Sequence, residues 1–161
     1  MKNKIQFLNL GKHPITNNFL TKKNPKNEYF YNLKLIFHKS TKLVSLAKFV
    51  PPKKMFNEKY AHRASASKTM SLAYSKLAKS IKKRFKPKSI LEIGSNDGVF
   101  IKHFKKIKNL GVEPCKNLAS ITKQAGLKTY DEFWTQKIAK KIVNQNGKVD
   151  VIYSANTISH I

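Results

Sequence analysis

The 161 residues are enough for one ordinary domain, or for a small domain joined to part of a second. Hydrophobic residues make up 40% of the chain and include 10 Phe and 6 Tyr, which excludes wholesale disorder. Lys and Arg total 33 against 8 acids, a formal charge of +25 that favours nonspecific contact with polyanions, but the lysines are dispersed among Asn and Ile beside no nucleic-acid module, so no specific nucleic-acid partner is expected.

At the N-terminus, Met1 to Leu10 lacks the apolar run of a signal peptide. Ile5 to Leu10 is predicted as a strand closed by the turn material Gly11-Lys12-His13-Pro14. From Tyr29 to Phe37 the odd positions are apolar and several even ones polar, the period of a half-buried strand, and Leu43 to Leu46 can pair with it. Residues 1–50 therefore read as a small β-rich domain. Residues 51–87 read as a connecting segment with an amphipathic helix: Pro51-Pro52 breaks the strand pattern, and Ser67 to Phe85 places Met70, Tyr74, Leu77, Ile81 and Phe85 at helical spacing. Cations crowd the last turns of this helix, where they suit its dipole, and Pro87 helps to stop it.

Residues 88–161 alternate strand and helix signals. Strands are predicted at Ser89 to Ile93, Leu110 to Val112, Lys128 to Tyr130 and Val149 to Ala155. Helices are predicted at Val99 to Ile107, with Phe100, Phe104 and Ile107 on one face, at Lys116 to Ala125, closed by Gly126, and at Thr135 to Asn144. Such alternation signals a parallel sheet with crossover helices. No stretch approaches the length that spans a bilayer, so no membrane partner is expected. The one cysteine, Cys115, allows neither an internal disulfide nor a multi-cysteine metal site and fits a reducing cytoplasm.

The informative segment is Ile90-Leu91-Glu92-Ile93-Gly94-Ser95-Asn96-Asp97-Gly98, a hydrophobic strand running into a glycine-bearing turn. Glycine lets a backbone approach a ligand closely, and a helix that starts there offers unpaired N–H groups. Glu113 ends the next strand, nineteen positions after Gly94, where a carboxylate can accept both hydroxyls of an adenosine ribose. Six of the eight acids (Glu92, Asp97, Glu113, Asp131, Glu132 and Asp150) lie in this part. A diphosphate ligand needs a closer Gly-x-Gly-x-x-Gly approach, and an acid at the helix entrance repels phosphate. Asn96 and Asp97 suit a ligand with ammonium and sulfonium centres instead, which favours S-adenosylmethionine over NAD.

Leu91-Glu92-Ile93-Gly94-Ser95-Asn96-Asp97-Gly98, Gly111-Val112-Glu113-Pro114 with Asn117-Leu118-Ala119, and the run from Asp150 to Ile161 resemble the sugar C-methyltransferase family of class I S-adenosylmethionine-dependent methyltransferases. Leu10 to Leu20 and Met55 to Tyr60 resemble that family's N-terminal domain. The resemblance implies an α/β fold: a Rossmann-like sheet of about four strands, incomplete beside the usual seven, preceded by the β-rich domain. It implies C-methylation of a nucleotide-linked keto-sugar. Carried over by position, Gly94, Ser95, Asn96 and Gly98 would shape the methionine and ribose pocket, Glu113 would hold the ribose, and Glu92 would be a further cofactor-binding residue. Asp131 would reach the adenine edge, and Asn156 would line the cleft. Tyr60 and His160 match the family's catalytic tyrosine and histidine, with Tyr74 and His62 as neighbouring alternatives to Tyr60.

The chain departs from that family's pattern in two ways. The family's N-terminal domain holds zinc with two Cys-x-x-Cys pairs, a tetrahedral donor set. This chain has neither pair, and His38-Lys39-Ser40-Thr41 stands where the second would be, so no structural zinc is expected and the domain should be held by its β core. The later strands and a Glu-His pair of the family are also missing. The expectation is a truncated or split enzyme whose fourth strand is an exposed edge, completed by a C-terminal partner chain or by self-association. The alternative reading is a basic module that binds RNA or a partner and keeps a vestigial nucleotide pocket.

Overall fold

The computed structural model describes residues 3–16, 18–20 and 28–160. The chain divides into two compact units, Met1–Ala61 and His62–Ile161.

The first unit is a three-stranded antiparallel sheet in the order β1-β2-β3, with β1 at Lys4–Pro14, β2 at Phe30–His38 and β3 at Val44–Leu46. The turn expected at Gly11 to Pro14 is instead part of β1. The strand continues to Pro14 through a register shift between Asn9 and Lys12, where Gly11 takes a φ of 79° and forms a bulge rather than an end. Pairing of β1 with β2 resumes at Lys12↔Asn32. The β core expected to hold this unit is thin. Ile15 and Val50 are its buried hydrophobic residues among those described, while Ile5, Phe7 and Leu10 are about half exposed. A single sheet layer has two faces and can bury neither without a second layer. A one-turn helix, α1 at Pro52–Met55, begins with Pro52, whose missing N–H costs nothing in the first turn.

The second unit is built on a four-stranded parallel sheet in the order β6-β5-β4-β7. Its strands are β4 at Ser89–Ile93, β5 at Lys108–Val112, β6 at Thr129–Tyr130 and β7 at Val151–Ser154. All five residues of β4 are buried, as a strand covered on both faces requires. Ile90 faces a cluster containing Ala78, Ile81, Phe100, Ile101 and Phe104, and Leu91 and Ile93 face a second cluster with Leu110, Val112, Ile138 and Ile142. Ala78 and Ile81 come from α2 (Lys68–Phe85). Ile138 and Ile142 come from α4 (Gln136–Asn146), so the two helices cover opposite faces of the sheet. The Ser67 hydroxyl caps α2 by accepting the Met70 amide, and the Thr135 hydroxyl caps α4 by accepting the Ile138 amide. The remaining helix, α3 at Lys116–Gln124, buries Leu118, Ala119 and Thr122.

One expected helix is absent. In place of an α-helix at Val99 to Ile107 there is a 3-10 turn at Ile101–Phe104, with amides bonded three residues back at His103 and Ile107. Val99, Phe100, Ile101 and Phe104 are all buried. An amphipathic helix would turn part of this run to solvent, and a tight, irregular path keeps the four side chains in the core. No helix among the described residues is long and apolar enough to cross a membrane.

Candidate functional site

Parallel strands bring their carboxyl ends to one edge of the sheet, and four segments emerge there: residues 94–98 after β4, 113–115 after β5, 131–135 after β6 and 155–157 after β7. In open α/β sheets this edge is where ligands bind. The loop after β4 turns back onto its neighbour, since the amides of Gly94 (2.8 Å) and Ser95 (3.1 Å) both donate to the Val112 carbonyl. Gly94 sits at a φ of 73°, and a Cβ there would lie 2.2 Å from Thr157 Oγ1. Only glycine meets both demands. Gly98, at a φ of 79°, likewise leaves room for Thr122 of α3, whose Cγ2 would lie 2.6 Å from an added Cβ.

Glu113 ties the loop down. Its Oε2 accepts the Asn96 amide at 2.8 Å and its Oε1 accepts the Cys115 amide at 2.9 Å, at the N-cap of α3. Asn96 takes a φ of 49°, a left-handed conformation that asparagine tolerates. Its side chain reaches back to the segment before α2, with Oδ1 accepting the Ala64 amide (2.8 Å) and Nδ2 donating to the His62 carbonyl (3.2 Å). Asp97 holds the same segment, since its Oδ2 accepts the Ser65 hydroxyl (2.5 Å) and amide (3.2 Å).

Three carboxyls thus gather in one place. Glu92, 3% exposed in β4, has one oxygen, Oε2, buried with no hydrogen-bond partner, and Ser95 Oγ and Asp97 Oδ1 are in the same condition. Burial pushes the Glu92 carboxyl well above the usual carboxylate range; the Ile101 amide opposes the shift, and Glu113 and Asp97 add to it. Burial also raises Glu113, against the bonds from Cys115 and Asn96. Neither lysine ion pair among the described residues, Lys123–Asp131 nor Lys141–Glu132, includes these three acids. Such a group of acids, with Glu92 and Glu113 buried and Asp97 half-buried, disfavours an anionic ligand and favours a cationic one.

The other candidates are spread along and beyond this edge. Asp131 follows β6 but is exposed and paired with Lys123 at 2.9 Å, and that lysine's hydrogen bond holds its carboxyl below the usual range. Asn156 is exposed in the loop after β7, at a φ of 51°. Tyr60 belongs to the first unit, its ring 5.6 Å from that of Phe56. Of the alternatives, His62 and Tyr74 belong to the second unit with the loop. His160 ends a 3-10 turn at Ile158–His160, and its side chain lies outside what is described, as does Ile161.

Sequence reasoning missed three contributors. Residues 62–65, taken as part of a connector, are bonded to the loop, and nothing in the sequence marks a partnership 32 residues apart. Thr157 fills the space that Gly94 leaves. Tyr153, across from Glu92 in the β4–β7 register, packs on Phe100 with ring centres 4.1 Å apart. Burial, then Tyr74 and Glu92, push its hydroxyl up to about 12.

Residues 60–161, well over half of the chain, match the family model described as a methyltransferase domain. The chain belongs to the methyltransferase domain family. Residues 1–56, ahead of this methyltransferase domain, match a model whose description includes the words "zinc binding domain". The C-methyltransferase NovU of Streptomyces niveus is 27% identical over 74 residues, which are 45% of this chain and 18% of that protein. The match thus spans less than a fifth of that relative's length. The crystal structure of Streptomyces venezuelae DesVI aligns over 53% of this chain and 36% of its own, at 14% identity and a TM-score of 0.40.

The residues present do not fit the zinc that the first match implies. Residues 1–56 contain no cysteine, and among the described residues no group of three or more His, Cys, Asp or Glu could hold a metal. His13 Nε2 lies 2.8 Å from the Leu10 carbonyl and His38 Nε2 lies 2.7 Å from Ser45 Oγ. Metal analysis of the purified chain should find well under one zinc per molecule, and one tightly held zinc per chain would contradict this.

The buried Glu92 also sets a pH dependence. Below about pH 4, where an unfolded glutamate takes up its proton, the group is neutral in both states and its contribution is fully present. As pH rises toward the elevated folded value, only the unfolded chain ionises and stability is lost. Glu92→Gln removes that loss. Urea unfolding should show the variant gaining on the parent chain as pH rises above about 4; a difference that does not change with pH would contradict the assignment.

Proposed function

We propose that this methyltransferase domain binds S-adenosylmethionine along the carboxyl ends of β4 and β5 and serves C-methylation of a nucleotide-linked keto-sugar. The observation that carries the reading is the group of carboxyls formed by Glu92 and Glu113 with Asp97 of the glycine-bearing loop. These residues suit the cofactor's cationic amino acid and sulfonium portions and oppose a diphosphate. When bound, the cofactor supplies an electrophilic methyl group. The chain's own residues would position it: Gly94, Ser95 and Gly98 give the backbone room, Asn96 fixes the loop, and Glu113 accepts the ribose hydroxyls with the lone pairs left after its two amide bonds. Asn156 and, once released from Lys123, Asp131 would line the outer parts of the cleft.

The sugar acceptor rests on the resemblance of the motifs from Leu91 to Gly98, Gly111 to Pro114 and Asp150 to Ile161, and on the similarity to a protein named as a C-methyltransferase. Tyr60 and His160 are the proposed groups that handle the acceptor's protons. The one cysteine allows no disulfide within the chain, in keeping with a cytoplasmic setting. In the described sheet β7 is paired on one side, by β4, and Ile152 is 59% exposed. Another chain or a second copy adding a strand there would cover it.

The test is calorimetric binding of S-adenosylmethionine, together with transfer of labelled methyl to nucleotide-linked keto-sugars. Glu113→Ala should weaken cofactor binding by about 1 to 3 kcal/mol, and Glu113→Gln, which keeps one acceptor oxygen, by less. Unchanged affinity in both variants would remove the ribose role. Methyl transfer to RNA or protein acceptors but not to keto-sugars would replace the substrate assignment.

A further inference from the structure

The parallel sheet of the second unit is chemically polarised. Each of its four strands is entered from a lysine: Lys88 precedes Ser89, Lys108 begins β5, Lys128 precedes Thr129, and Lys148 stands shortly before Val151. With the order β6-β5-β4-β7 and about 4.8 Å between neighbours, the fold lines these cations up along the amino end of the sheet. Helix α2 finishes at that end, with Lys82, Lys83 and Arg84 in its last turn and Lys86 as its C-cap. The run into β5 adds Lys105 and Lys106. Lys82 also lies near His103, whose proton affinity is lowered first by burial and then by the charges of Lys102, Lys82 and Lys79.

Little at this end opposes the charge. No Asp or Glu occurs between Glu58 and Glu92 or between Asp97 and Glu113. Asp150 does lie here, but its carboxylate already accepts the amides of Lys88 (2.7 Å) and Ser89 (2.9 Å). Lys108 and Lys128 each donate to Asn146, which uses one of the three N–H groups on each ammonium. Among these cations Phe85, the last residue of α2, is 57% exposed, with the Arg84 guanidinium 5.2 Å from its ring centre.

We propose that this amino-end face binds the phosphate backbone of a single-stranded nucleic acid without sequence preference, on the side of the sheet away from the cofactor edge. A file of lysines supplies the counterion-releasing contacts that a polyphosphate needs. The exposed ring of Phe85, flanked by Arg84, offers a base a stacking surface, which an acidic protein would not use. Composition alone reads these lysines as dispersed; the sheet order is what brings them together.

The experiment titrates the full chain into a labelled oligouridylate of about 20 nucleotides over a range of salt concentrations. Lys83, Lys86, Lys105 and Lys106, all exposed, are changed together to Gln. The control changes four exposed lysines of the first unit, Lys39, Lys42, Lys48 and Lys53, and so removes equal charge. The face variant should bind at least about tenfold more weakly, its salt slope shallower by about 0.7 for each phosphate no longer neutralised, and the control should change by less than about threefold. Phe85→Ala should cost about tenfold with the slope unchanged. Equal losses in the two lysine sets would show a charge effect without a site. Full affinity in Phe85→Ala, or equally tight binding of polyglutamate or phosphatidylserine vesicles, would overturn the choice of nucleic acid.

Discussion

The carboxylate of Glu113 is the constraint on which the site depends. One oxygen takes the amide of Asn96 and the other that of Cys115, so a single group fixes the loop after β4 against the start of α3. Such charge-assisted bonds are roughly twice as strong as neutral ones, and the helix N-terminus adds a favourable dipole. To offer its amide, Asn96 adopts the left-handed conformation, and its side chain then grips residues 62–64. Three segments far apart in the chain are ordered by one acid and the asparagine it holds.

The same arrangement concentrates acidic groups in a chain of formal charge +25. An ionised carboxylate buried without a partner costs several kcal/mol, and the raised affinity of Glu92 for its proton is how the unliganded site offsets that cost. On the proposed reading, a cationic ligand takes over that task. Lysines at the amino ends of the strands and carboxyls at the carboxyl ends make the two edges of the sheet opposite in sign, so they suit ligands of opposite charge.

Much of this was legible in the sequence because it is local. The run Ser89 to Ile93 is apolar and β-branched enough to be read as a buried strand, and its observed ends are the expected ones. The helices capped by Ser67 and Thr135 carry their start signals in plain view. Glycines at 94 and 98 announced a turn at which backbone must come close. What failed depended on packing at long range. The Val99 to Phe104 run has helical spacing, but Val99, Phe100, Ile101 and Phe104 are all buried, more than one face of a helix could hide, so its periodicity misled. Gly11 reads as a turn in isolation and becomes a bulge once β2 lies alongside. The 62–65 segment and Thr157 take their places only through partners the chain reaches by folding.

The central claim is that the carboxyls of Glu92, Asp97 and Glu113 select a cationic adenosyl ligand over a diphosphate one. Parallel calorimetric titrations of the chain with S-adenosylmethionine and with NAD test it most directly. The account predicts one bound S-adenosylmethionine per chain and NAD weaker by at least about a hundredfold, roughly 2.7 kcal/mol. NAD binding as tight as that of S-adenosylmethionine would contradict it.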